Sequence, residues 1–267
     1  MDTKPKVGLI GAGIMGEALI SALVTYGLDP KSITISEKRL DRCDELIQRY
    51  SINSSELAAN VSTAQVLLLV VKPQDLEAVL TEIKTHILPE TLVITFAAGK
   101  SISFINNGIG KSNPVIRVMP NSPILLREGM SAISSSDNVT AGQRDFVIGF
   151  LNAAGKTIEV EESLQDAVTA TSGSGPAYFF AFVEAMVSGA MDLGLNQKDA
   201  TTLTVQTIVG AAKMLEESGK TAAVLRENVT SPNGTTAAAL ASFTEDGLEQ
   251  LVSKAMKAAR DRAQELA

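Results

Sequence analysis

Apolar residues fall into short, evenly spaced runs through the first half of the chain and into longer helical stripes through the second. Val7–Ile10 is a short apolar run that enters Gly11, and a helix-period pattern follows from residue 14 to about 26, stopped by Gly27. Ile33–Ser36 reads as a second strand and residues 38–50 as a charged helix. Residues 66–71 are continuously apolar and stop at Lys72 and Pro73, the pattern of a strand buried on both faces. Residues 76–87 are helical again, and 92–98 and 115–119 are further strands. A strand at 130–133, a helix near 141–151 and a strand at 157–160 complete the series. This alternation predicts an α/β fold, a Rossmann-type doubly wound and mostly parallel sheet over residues 1–161.

From residue 162 to 267 no strand pattern appears, which predicts an all-helical second domain. Gly175 and Pro176 open a helix that runs to about residue 193, since proline in a first turn removes an N–H that has no partner anyway. Asn196, with Asp199 three residues on, forms a capping pair for a helix reaching about residue 217. In the last helix Leu248, Leu251, Val252, Ala255 and Ala259 share one face. Small residues inside these helices, Ser188, Gly189 and Ala190, then Gly210, Ala211 and Ala212, favour close helix contact. That contact offsets the roughly 1 kcal/mol each glycine costs relative to alanine. A helical unit this thin with such apolar faces predicts pairing with a second copy.

Composition narrows the chemistry. The chain is 45% hydrophobic but only 4% aromatic, without tryptophan, so its core is built from small aliphatic side chains. A net charge of −7 argues against nucleic acid as the main partner, because phosphate backbones are bound by clustered lysine and arginine. It does not argue against a dinucleotide, whose phosphates backbone N–H groups can hold. Cys43 is the only cysteine and His86 the only histidine, so no metal is expected on a cysteine cluster or a histidine pair. No nucleophile elbow accompanies His86. It reads as a helix-end surface residue and Cys43 as a helix filler. Without a signal peptide or an apolar run of about 20 residues, the expectation is a cytoplasmic protein with no membrane partner.

Gly11-Ala12-Gly13-Ile14-Met15-Gly16 matches G-x-G-x-x-G, directly after a strand ending at Ile10 and at the opening of a helix. Gly11 permits the tight turn, Gly13 lets a pyrophosphate approach the backbone, and Gly16 lets helix and strand pack closely. Ile10, Ala12, Ile14 and Met15 complete this dinucleotide site. The second strand ends at Ser36-Glu37-Lys38-Arg39. If Ser36 holds the strand-end position, its hydroxyl with Lys38 and Arg39 suits the 2′-phosphate of NADP(H); if Glu37 holds it, the carboxylate repels that phosphate. The expectation is NADP(H), with NAD(H) possible as an alternative. Three more strand ends face the same crevice: Val70, Val71, Lys72 and Pro73; Ala97, Ala98 and Gly99, small enough for a flat ring; and Met119 with Pro120.

In the second half, Ser231-Pro232-Asn233-Gly234-Thr235-Thr236 precedes a small-residue helix. A glycine and two threonines at a helix start offer free N–H groups and two hydroxyls, a compact carboxylate site, or else a plain capping turn.

The segments GAGIMGEAL, VVKPQ, FAAGKSI, VIRVMPNSP, EVEESLQDAVTATSGSGPAY, GAAKML and LRENVTSPNGTT, in this order, resemble the pyrroline-5-carboxylate reductase family over essentially the whole chain. SGSGPAY and SPNGTT together are the specific part. Ser122 stands where the family commonly has threonine. The resemblance implies a Rossmann domain followed by a helical domain that interleaves with a partner's, giving a homodimer or a larger assembly of dimers. It implies reduction of a small cyclic imino acid, 1-pyrroline-5-carboxylate, to proline by NAD(P)H, the last step of proline biosynthesis. By the same resemblance Thr236 contacts the ring nitrogen, Glu162 and Ser231 support the substrate, Asn228 lies near the cofactor, and Ser174, Gly175 and Pro176 pack close by. Two other readings keep the fold: a β-hydroxyacid or other imine substrate, with Lys213 as acid/base in the hydroxyacid case, and a nucleotide-binding regulator without turnover.

Overall fold

The computed structural model describes residues 4–266. Its centre is an eight-stranded sheet. The strands are β1 (Val7–Ile10), β2 (Ile33–Ser36), β3 (Asn53–Ser54), β4 (Val66–Leu69), β5 (Leu92–Thr95), β6 (Val115–Met119), β7 (Gly129–Ser135) and β8 (Gly155–Glu159), in the order β3-β2-β1-β4-β5-β6-β7-β8. Every pairing is parallel except β6 with β7. The order reverses between β2–β1 and β4, so the carboxyl ends of β1 and β4 flank a switch point where ligands enter such sheets.

Helices cover the sheet: α1 (Ile14–Thr25), α2 (Leu40–Tyr50), α3 (Leu57–Thr63), α4 (Leu76–Ile83), α5 (Ile102–Ile109) and α6 (Ala141–Asn152). Two apolar clusters result. One packs Leu19, Ile20 and Leu23 of α1 and Phe150 of α6 with Leu9, Ile33 and Ile35. The other packs Leu76, Leu80 and Ile83 of α4 and Ile105 and Ile109 of α5 with Leu67, Leu69 and Val93. β1, β4 and β5 are buried along their whole lengths, as central parallel strands are.

Several elements differ from the sequence pattern. β3, α3 and α5 are additional. β4 stops at Leu69; the Val70 N–H still donates to the Ile10 carbonyl at 2.9 Å, and Val70 and Val71 line a cleft. Beyond residue 161 the first compact unit continues through α7 (Gln165–Val168) and a π-helical turn over Thr169–Gly173. Two buried polar groups tie this segment to the sheet. Gln165 donates from Nε2 to Ser134 Oγ at 2.9 Å, and Arg117 of β6 reaches Asp166 at 3.3 Å and Glu162 at 3.7 Å. The unit comprises Met1–Ser174 together with Ala259–Ala267.

The second unit, Gly175–Ala258, holds α8 (Gly175–Asp192), α9 (Gln197–Glu217), α10 (Ala222–Asn228), α11 (Thr235–Glu245) and most of α12 (Leu248–Glu265). Asn196 caps α9 by accepting the Asp199 N–H at 3.0 Å. Within the unit Phe182 and Phe243 meet with ring centroids 6.5 Å apart. Phe179, Phe180, Leu193, Leu203 and Leu251 stay more than half exposed. A surface this apolar marks an association face.

Candidate active site

The glycine-rich turn does what its spacing requires. Gly11 has φ +88°, and a Cβ there would sit 2.7 Å from the Val70 carbonyl oxygen. A Cβ on Gly16 would sit 2.5 Å from the Gly11 oxygen, so only glycine lets α1 start this close to β1. At Gly13 a Cβ would meet nothing within 4 Å. Gly13 is also the N-cap of α1 and no side chain caps the helix. The first N–H groups of α1, with the partial positive charge of the helix end, therefore face open space, which fits a pyrophosphate.

That space belongs to a cleft of about 860 Å³. Of the expected cofactor residues, the structure brings Ile10, Gly11, Gly13, Ser36, Lys38, Arg39, Val70, Val71 and Lys72 together on its walls. Pro73 begins the next 3-10 turn. Ala12 is buried beneath the turn, Ile14 is exposed at the start of α1, and Met15 packs against the apolar core. Ala97, Ala98 and Gly99 follow β5, and Pro120 follows Met119 at the end of β6. Both strands end on the same edge as β1 and β4, because all four run parallel. Gly99, with φ +75°, lies against the last turn of α12, where a Cβ would be 3.0 Å from atoms of Ala263 and Leu266.

The register places Ser36, not Glu37, at the end of the second strand. Ser36 is the last residue of β2, opposite Ile10, but its hydroxyl is engaged: it donates to the Ser55 carbonyl at 3.0 Å and accepts from Asn60 Nδ2 at 2.9 Å. The next residue, Glu37, turns its carboxylate toward the glycine-rich turn and accepts the Ala12 N–H at 2.9 Å. This weighs against the phosphate-binding role expected of Ser36.

Sequence reasoning missed Arg42, which no motif marks. Its Nε donates to the Ala12 carbonyl at 3.1 Å, and its other nitrogens pair with Glu17 of α1 and Glu45 of α2. Arg49 and Tyr50 also reach Glu17. Burial by itself would raise the Glu17 carboxyl, but the bonds from Arg42, Arg49 and Tyr50 outweigh it and hold it below the ordinary carboxylate range. Burial, then the nearby Glu37 charge, pushes the Cys43 thiol up, which suits the filler role read from sequence. His86 is exposed just beyond α4. Arg117 was also missed, although a charged residue inside the apolar run VIRVM is itself a signal, since burial demands partners.

Glu162 sits in a 3-10 turn after β8, where it accepts the Ile102 N–H at 2.7 Å and so fixes the start of α5. Asn121, just past β6, donates to the Ser172 carbonyl at 3.1 Å and accepts the Met130 N–H at 2.8 Å. Ser174 closes the π-helical turn and Gly175 begins α8, with Pro176 next.

In the second unit Gly234 is the N-cap of α11, with Thr235 and Thr236 its first residues. No side chain caps this helix. Asn233, at φ +60°, and the Gly234 N–H bonded to the Ser231 carbonyl at 3.0 Å form the turn that presents the helix end. Ser231 Oγ lies so near Gly234 that a Cβ there would be 2.7 Å away. Asn228 ends α10 and is exposed, and Lys213 is exposed on α9.

Comparisons with known proteins match this arrangement. Residues 162–266 match the family profile described as pyrroline-5-carboxylate reductase dimerisation. Residues 6–99 match one described as NADP oxidoreductase, coenzyme F420-dependent. The chain is 40% identical to the pyrroline-5-carboxylate reductase of Pseudomonas aeruginosa, covering 98% of this chain and 97% of that one. It is 38% identical to the enzyme of Corynebacterium melassecola, covering 97% and 98%. Among solved structures, a pyrroline-5-carboxylate reductase from Coxiella burnetii superposes with a TM-score of 0.92 at 34% identity, covering 98% of each chain. A Plasmodium falciparum pyrroline carboxylate reductase with NADP bound superposes with a TM-score of 0.87 at 28% identity, covering 99% and 98%.

Proposed function

This chain belongs to the pyrroline-5-carboxylate reductase family, and we propose that it reduces 1-pyrroline-5-carboxylate to L-proline, the last step of proline biosynthesis. The observation that carries the reading is the pair of uncapped helix starts: α1 behind Gly13 for a pyrophosphate, and α11 behind Gly234 for a carboxylate.

A nicotinamide dinucleotide supplies the hydride. The NADP in the profile's description and in the Plasmodium structure supports acceptance of NADPH, alongside NADH. The residues around it have a different task. A cyclic imine is basic enough to arrive protonated on nitrogen, so addition of hydride to the C=N carbon needs no strong general acid. What the chain contributes is orientation and electrostatic complementarity. The N–H groups of Thr235 and Thr236, with the partial positive charge of α11, hold the carboxylate. The Thr236 hydroxyl hydrogen-bonds the ring nitrogen and orients the ring. Ser231 shapes the turn before α11, and Glu162 anchors the start of α5.

The assembly is a homodimer or a set of dimers formed through the helical unit, supported by the matched dimerisation profile and by the exposed apolar side chains there. Among the described residues no helix is long and apolar enough to cross a membrane. The cytoplasm, where thiols such as Cys43 stay reduced, is the proposed location. The test is loss of reduced-nicotinamide absorbance with 1-pyrroline-5-carboxylate, the product being identified as proline. No turnover by folded protein that binds dinucleotide would refute the substrate.

A further inference from the structure

We infer that Glu37 makes this chain select NADH over NADPH. The inference rests on the reading that the cleft at the glycine-rich turn takes a nicotinamide dinucleotide, and it goes further by naming the residue that chooses between the two.

Glu37 follows β2 directly and is held in one position. Its Oε2 accepts the Ala12 N–H at 2.9 Å, and its Oε1 accepts the Arg39 N–H at 3.1 Å. Its side chain is only 12% exposed. A carboxylate has room for about four hydrogen bonds, so two main-chain donors leave acceptor positions on both oxygens. Glu37 lines the cleft. The 2′- and 3′-hydroxyls of a ribose can each donate to its carboxylate, and such a charge-assisted pair is worth more than a neutral one.

A 2′-phosphate finds the opposite. It brings up to two negative charges to a carboxylate that cannot swing away without releasing both main-chain bonds. The neutral donors that would ordinarily receive it are taken. The Ala12 and Arg39 N–H groups point at Glu37, and the Ser36 hydroxyl donates to Ser55 and accepts from Asn60. The cations that follow Glu37 along the chain are Lys38 and Arg39. Both residues are exposed, and the Arg39 guanidinium already lies 3.7 Å from the Glu37 carboxylate. Exposed ion contacts are weak and screened by salt, whereas a fixed, mostly buried charge is screened much less. The repulsion therefore outweighs the attraction, and the diol is the better ligand.

The experiment titrates NADH and NADPH separately into the full-length protein by calorimetry, then repeats kcat/KM with each. It uses wild type, Glu37→Ser, Glu37→Gln and Glu37→Asp, each checked for folding by thermal unfolding. Wild type should bind NADH at least about 10-fold more tightly than NADPH, the scale of one hydrogen bond to a charged group. Glu37→Ser and Glu37→Gln should shrink that ratio by about 10-fold or reverse it, with NADPH gaining outright. Glu37→Asp, which keeps the charge, should still favour NADH. If Glu37 only braced the turn, both affinities would fall together and the ratio would stay fixed. A fixed ratio, or a wild type that binds NADPH as well as NADH, overturns the inference. Selective NADH binding without turnover of 1-pyrroline-5-carboxylate would sink the proposed reaction and leave the selectivity standing. Binding of neither dinucleotide would overturn both.

Discussion

Arg42 donates from Nε to the main-chain carbonyl of Ala12 at 3.1 Å, tying α2 to the turn that opens α1. Glu37 holds the N–H of the same residue from the other side. The Ala12 peptide unit lies in the middle of the glycine-rich sequence, and a turn built on glycines gains rigidity only from such external bonds. Arg42→Lys keeps a positive charge but loses the planar fork that reaches Ala12 and Glu17 together. The expected result is about 10-fold weaker dinucleotide binding, from one lost bond to a charged group, with kcat at saturating cofactor nearly unchanged. Calorimetric Kd and steady-state kinetics check it; a fall in kcat alone would assign Arg42 elsewhere.

Glu17 makes the same network sensitive to acid. Its folded carboxyl lies below the ordinary value of 4.5, because the bonds from Arg42, Arg49 and Tyr50 overcome its burial. A depressed folded pKa means stability that is fully present above the unfolded value and lost as pH falls through the folded one. Glu17→Gln should therefore melt below wild type at pH 7. The gap should narrow as pH falls below about 4.5. Melting temperatures across pH 3–7 measure this (the range spans the ordinary carboxylate value). A gap that stayed constant with pH would show that packing, not charge, holds Glu17.

The three glycines of the turn should fail differently. Gly13 has a backbone any residue can adopt, φ −67°, and open space beyond it. Gly13→Val should fold with wild-type stability and lose dinucleotide binding, because the side chain fills the space a phosphate needs. Gly16→Ala should lose stability instead, because its Cβ meets the Gly11 carbonyl oxygen. Overpacking of this kind costs about 1–3 kcal/mol. Thermal unfolding together with dinucleotide titration separates the two, and tight binding by Gly13→Val would move the pyrophosphate elsewhere.

Thr236 is the only side chain asked to touch the ring nitrogen. Thr236→Ala should lower kcat/KM by about 10- to 100-fold, the scale of a hydrogen bond to a charged group or proton-transfer partner. Thr236→Ser should recover most of that loss, because it restores the hydroxyl. Equal activity in both variants would leave the α11 amides as the whole substrate site.

The sheet was legible wherever burial is two-sided. Val66–Leu69 and residues 92–94 are unbroken apolar runs because helices cover both faces. The pattern also overran, since Val70 and Val71 lie past the strand end but pack against the two apolar clusters. α3 was not legible: it is short, and one of its two buried residues is Asn60, whose amide donates to the Thr34 carbonyl and Ser36 Oγ. Periodicity cannot register a polar residue buried by tertiary bonds. The antiparallel direction of β7 leaves no trace in its composition either.

At the site, the glycine spacing was readable because its requirements are local. Which of Ser36 and Glu37 ends the second strand was not readable, because only the pairing of Ser36 with Ile10 fixes it. Arg42 acts across two helices on a main-chain carbonyl, and no one-dimensional pattern records that. The helix start at Gly234 was visible from its threonines, whereas the absence of a side-chain cap on α11 was not.

The most direct test of the central claim is to follow the hydride. The protein is supplied with 1-pyrroline-5-carboxylate and a nicotinamide cofactor carrying deuterium at the reducing position, and the product is analysed by mass spectrometry and NMR. The account predicts proline with one deuterium on the ring carbon that bore the C=N bond, formed in step with cofactor oxidation. Cofactor oxidation without labelled proline, or no oxidation by folded protein that binds the dinucleotide, would contradict it.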